Sequence, residues 1–386
     1  MMKMNAPARW IAVAVMMISA ASASAQPQTD NFTKNFKNFK DISIGVDFYA
    51  GSKSDVIPFE KLVAEARRRL SVFLGNDLAS GAVVICSTLE QKDSVSEAKL
   101  LRRGYRWVLI ELTAEANAQQ VRARIRAESG GQVPAAVSQR FQNPSPEMKA
   151  AGDARFVSSV VQRMAYATIM TTLAPDRPFR ASRVDDMARS PLPDWLDVGL
   201  ASYAVGGPGF NLRFLKERIE EAFPLEDVLT MSRPFVAPGT GGGGGGQASF
   251  VQAAPGGAGG GGARVEMSSP PAGGQAGAGG GGGRQRGGGM NLSKDVQDRM
   301  MFDAEASTFF SYLVAKAGVE KTRGIVSLSL ENKDSLDVLG RSDALDKDLE
   351  KVEQDWQAWV KQQQADGPPG NIRMISGPDR TPAPQQ

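Results

Sequence analysis

Between residues 41 and 129 short apolar runs alternate with stretches of helical periodicity, and beyond residue 150 the helical period takes over. Residues 42–49, 82–87 and 105–112 have the length and the β-branched or aromatic content of strands. Residues 59–73 repeat apolar side chains at helical spacing up to Gly75, and 113–128 form a charged helix. Further on, Phe156, Val157, Val160, Val161, Met164 and Thr168 mark a helix over 153–173 that Pro175 and Pro178 stop. A shorter helix opens at Pro193, with Asp194 near its cap, and ends at Gly206-Gly207. Helices are also predicted over 212–223, 292–317, 319–330 and 345–364. The predicted fold is α+β, with a small mixed β-sheet and helices in the N-terminal half and a mostly α-helical C-terminal half.

The ends and one internal stretch depart from this pattern. Lys3 and Arg9, the apolar stretch 10–18 and Ala23-Ser24-Ala25 have the layout of a secretory signal, which predicts an exported, periplasmic or extracellular product. No later run of about 18 apolar residues follows, so no transmembrane segment is expected after signal cleavage. Residues 26–40 form an N-terminal arm in which phenylalanines recur among lysines. They read either as an aromatic, basic arm for nucleic acid or membrane, or as phenylalanines packed on the domain with the lysines in water; the second is preferred. Residues 239–289 hold 24 of the 42 glycines and too little apolar surface to fold, so they are expected to be a disordered insert. Extending a short loop to that length costs only about 2 kcal/mol, so one domain tolerates it. The proline-rich tail 367–386 is expected to be disordered as well. The remaining divisions are a sheet subdomain at 41–150, a pair of helices within 151–238 and a helical subdomain at 290–366.

Composition then narrows the chemistry. The chain has no histidine, which removes His-based triads, His-ligated metals and an imidazole base. Its net charge is +3, too small for a broad nucleic-acid footprint, so no nucleic-acid partner is expected. With one cysteine, Cys86, an intrachain disulfide is impossible.

Pro193, Trp195, Leu196, Gly199, Leu200, Ala201 and Tyr203 resemble the second-helix motif P-x-W-L-x-E-G-L-A-x-Y of the gluzincin zinc metallopeptidases, particularly the peptidase MA-like family. The likeness continues in Glu305, Phe309, Tyr312, Leu313, Gly318 and Trp356, and covers roughly residues 150–360. In that family an H-E-x-x-H helix supplies two zinc ligands four residues apart and a general base between them. The resemblance places these on Gln162, Arg163 and Tyr166, and the further glutamate ligand on Val198. None of the four has the family's chemistry, and Asp197 lies about 100° around the helix from Val198. The resemblance therefore implies a degenerate zinc site, with no catalytic residue, metal or other cofactor.

Arg163 would put a permanent cation where the family keeps a base, and once buried it needs a carboxylate. Asp185, Asp186, Asp194 and Asp197 are the candidate partners, an ordinary surface arginine being the alternative. The functional expectation is an inactive pseudopeptidase that binds an unknown protein or peptide. The rival readings are a hydrolase with a non-zinc site and a cell-envelope scaffold acting through its glycine-rich loop.

Overall fold

The computed structural model describes residues 32, 35–41, 45–128, 146–177, 179, 189–236 and 293–363. The expected signal at 1–25, the glycine-rich stretch 239–289 and the tail 367–386 lie outside the described residues. The architecture is mixed α/β, with one small four-stranded sheet and a majority of helix. The sheet order is β1 (Lys37–Asp41), β2 (Val46–Ala50), β3 (Gly81–Cys86) and β4 (Trp107–Leu112). β1 runs antiparallel to β2, while β2, β3 and β4 are parallel.

Parallel strands need crossovers, and both faces of such a sheet are covered. α1 (Ile57–Leu74) connects β2 to β3, and α2 (Leu89–Ser94) and α3 (Glu97–Leu101) connect β3 to β4. Burial follows the strand period: Phe48, Val83, Ile85, Trp107 and Leu109 enter the main core. Tyr49, Ala82, Val84, Cys86 and Val108 enter a smaller cluster on the opposite face. There the Tyr105 hydroxyl bonds Asp47 and Tyr49, tying the entry to β4 back to β2.

Two expectations need correction. The strand expected over 42–49 is β2, which starts at Val46 and is preceded by β1, drawn from the end of the arm. Only Phe39 of β1 packs on the main core, so its sequence carries little apolar alternation. Phe36 is buried and Phe32 sits 5.1 Å from the Tyr49 ring, while Lys37 stays exposed. Next, the helix expected over 153–173 is α5 (Pro146–Leu173), which crosses the division at 150. Proline suits a helix start, since its missing N–H would be unpaired there anyway. The sheet and helical parts share one continuous core.

α4 (Ala114–Glu128) follows β4, and α5 packs against α1. The centre of the helical part is α6 (Asp194–Ala204), where Trp195, Leu196, Val198, Gly199, Leu200 and Ala201 are all buried. A helix apolar on all sides has to be surrounded. α5, α1 and α9 (Lys294–Ala317) do this, with α7 (Gly209–Glu217), α8 (Leu225–Thr230), α10 (Val319–Glu331), α11 (Ser335–Arg341) and α12 (Leu349–Gln362) outside. Trp195 contacts the Phe309 ring at 5.6 Å and donates to Ser335 Oγ at 2.9 Å. Among the described residues no helix is long and apolar enough to cross a membrane.

Gly199 sets the spacing of α6 and α9. A Cβ there would lie 2.5 Å from Phe310 Cβ and 3.0 Å from the Ala306 carbonyl oxygen. Overpacking of this kind costs about 3 kcal/mol, and alanine's higher helix propensity returns about 1 kcal/mol. Gly199→Ala is therefore expected to destabilise by about 2 kcal/mol, read as a lower urea midpoint at unchanged slope.

Candidate functional site

Helix α5 turns the three positions of the zinc-helix resemblance in two directions. Gln162 and Tyr166 are four residues apart and share a face. Gln162 lines a cavity of about 60 Å³ with Phe210, Asn211, Met300 and Asp303, from α7 and α9. Tyr166 is buried at 4 % exposure, and burial pushes its hydroxyl well above the ordinary tyrosine range, with Arg233, Asp303 and Asp197 contributing smaller effects. Val198 is fully buried on α6.

Arg163, about 100° around the helix from Gln162, makes a different contact. Its Nη1 lies 2.6 Å from Glu111 Oε1 on β4. Glu111 shares the pleat of Trp107 and Leu109 and so projects from the sheet face that α5 covers. Among the described residues Arg163 pairs with Glu111, while Asp194 and Asp197 bond elsewhere. Asp197 accepts from Ser190 N–H at 3.0 Å and Ser190 Oγ at 2.6 Å, and Asp194 accepts from Arg233 N–H at 2.8 Å. Asp185 and Asp186 lie outside the described residues. Sequence held one signal for the true partner: Glu111 is the only charged residue in the otherwise apolar strand WVLIEL.

The principal charge pair beside Tyr166 was missed. Arg233 meets Asp303 through both arms, Nε to Oδ1 at 2.7 Å and Nη2 to Oδ2 at 2.5 Å. Both side chains are largely buried. Such a two-armed pair fixes orientation as well as charge. The two residues are 70 apart in sequence, on opposite flanks of the glycine-rich insert, and no local spacing announces them. The site thus contains a cavity with an amide wall, a buried phenol and a carboxylate already held by a guanidinium. These groups can donate and accept directional hydrogen bonds.

Zinc does not fit these residues. Gln162, Arg163 and Val198 offer no thiolate, carboxylate or imidazole, and the raised Tyr166 hydroxyl resists the ionisation a phenolate ligand needs. Arg233 would add repulsion.

Burial holds two neighbouring acids above the ordinary carboxylate range. Burial raises Asp197 to about 7, against the lowering effect of its Ser190 hydrogen bonds. Burial raises Glu305 to about 8, with the Phe223 N–H opposing and the Glu353 charge reinforcing it. Glu305 Oε1 accepts Phe223 N–H at 2.9 Å, and Oε2 has no partner among the described residues.

An acid whose folded value lies above its unfolded one favours the fold below the unfolded value, and loses that contribution as pH rises through the folded value. Stability should therefore decline from about pH 5 to about pH 8. Glu305→Gln should flatten that decline, as read from melting temperatures across this range. Breaking the Arg233–Asp303 pair leaves a buried cation alone, so Asp303→Asn is expected to cost about 3–5 kcal/mol in denaturant unfolding. Comparison of the chain with protein-family models, curated proteins and solved structures returned no match, so its functional reading rests on these residues.

Proposed function

We propose that this chain is an exported, catalytically inactive protein on a gluzincin-like scaffold, acting by binding a protein or peptide partner. The supporting observation is the chemistry at the mapped positions. Gln162 borders a small cavity, Tyr166 and Val198 are buried, and Arg163 is held by Glu111. None of these groups can ligate zinc in the family's manner or act as its base near neutral pH. Beside them the Arg233–Asp303 pair supplies a fixed, internally neutralised charge.

A partner would have aromatic surface to engage. Phe210, a cavity-lining residue, is 39 % exposed, and Phe235, two residues beyond Arg233, is 61 % exposed. Exposed aromatics beside a polar cavity are the kind of surface on which binding energy concentrates.

Purified protein is expected to carry no stoichiometric zinc by elemental analysis and to leave a peptide library uncleaved. One equivalent of zinc, or chelator-sensitive cleavage, would defeat the reading. The mapping itself is tested by installing the family's residues with Gln162→His, Arg163→Glu, Tyr166→His and Val198→Glu. Because Arg163 neutralises Glu111, Glu111→Gln must accompany them, or two carboxylates would meet on the α5 face of the sheet. This five-substitution variant is expected to bind one zinc, and a folded variant that binds none would refute the mapping.

A further inference from the structure

The cavity bordered by Gln162 has a polar wall whose unmet hydrogen-bonding capacity can be read from its contacts. Asn211 Nδ2 donates to the Asp303 carbonyl oxygen at 3.3 Å and to Ser307 Oγ at 2.9 Å. Both amide hydrogens are thereby used, and Oδ1 remains as an acceptor. The Asp303 carboxylate takes the two arms of Arg233 and retains further lone pairs. The Gln162 side chain has no hydrogen-bond partner among the described residues, leaving one carbonyl and one amino group for a ligand. Acceptors therefore outnumber donors, with Gln162 supplying the donor. Phe210 and Met300 complete the lining with apolar surface.

Charge narrows the ligand further. Arg233 matches Asp303 one for one, and Asp194 lies on the Arg233 backbone while Arg299 acts on the adjoining Tyr166. An incoming ammonium would meet a carboxylate already held by a guanidinium, and an incoming carboxylate would meet Asp303 itself. Either would also lose hydration without gaining a free counter-charge. An uncharged group with two N–H donors and one carbonyl acceptor answers the wall, and a primary carboxamide is that group. With about 60 Å³, the cavity has room for a small polar group of this kind.

We propose that this cavity receives a carboxamide, the side chain of an asparagine or glutamine of the bound partner. The proposal rests on the binding-protein reading above and names the chemistry its site selects. Selectivity follows because a site built to hydrogen-bond a ligand rejects analogues that leave its polar groups unpaired.

The test uses the full chain labelled at methionine methyl groups and titrated with propionamide, propionate and propylammonium. The Met300 signal is assigned by its loss in Met300→Leu. Propionamide is expected to shift this signal saturably, with the two charged isosteres binding at least about tenfold more weakly. Gln162→Leu should weaken propionamide by about tenfold, and Gln162→Glu should turn the preference toward propylammonium. Gln162 is only partly buried, so both variants should retain the wild-type melting behaviour, and each tests the site without the other. Equal responses to the three probes, no saturable shift at Met300, or indifference to both Gln162 variants would overturn the carboxamide site. None of these results would touch the inactive-homologue reading, which metal content and cleavage decide.

Discussion

The structure depends on the burial of α6 on every side. With Trp195, Leu196, Val198, Leu200 and Ala201 withdrawn from water, this short helix has stabilising contacts only if α1, α5 and α9 close around it. At about 25 cal/mol per Å² of apolar surface, each large buried side chain contributes about 1.5–3 kcal/mol. The close approach to α9 at Gly199 joins the parts of the chain that precede and follow the glycine-rich insert. That approach brings Asp303 within reach of Arg233 and places Gln162, Asn211 and Met300 around one cavity.

Charge is managed in two ways around this core. Where a guanidinium is available, a pair forms: Arg163 with Glu111 between α5 and the sheet, and Arg233 with Asp303 across the insert. Where no ion pair forms, burial raises the acid's affinity for its proton: Glu305 accepts one backbone N–H and Asp197 is bound by Ser190. Burying an unpaired carboxylate costs several kcal/mol, whereas holding the proton costs only the free energy of the raised pKa. Pairing and raised proton affinity together limit the charge that the described helical core has to bury.

On the reading proposed above, the Gln162 site recognises a ligand rather than transforming one. Catalysis by a metal-bound water or an acid–base pair needs a group whose protonation changes near the working pH beside the reacting atoms. The Gln162 cavity has instead an amide, a neutralised carboxylate and apolar walls. Those groups suit directional hydrogen bonding to an uncharged ligand, with the exposed Phe210 offering apolar surface beside them.

Much of this molecule follows from sequence alone. The buried strands declared themselves as unbroken apolar runs, and α5, α6 and α9 showed their helical period, because burial acts on residues close together in the chain. The missing histidines removed imidazole chemistry before any fold was known. Other features lay beyond local pattern. β1 exists because β2 offers it an edge, α5 extends back to Pro146, and the two faces of α5 direct Gln162 and Arg163 to different neighbours. Arg163 met Glu111, a residue no local pattern pairs with it, and Arg233 met Asp303 across 70 residues, because charge pairing is settled by proximity in space. The sequence determined which segments would be buried and which chemistry was absent; tertiary structure decided which polar groups would meet, since a hydrogen bond or ion pair exists only at the distance that packing allows.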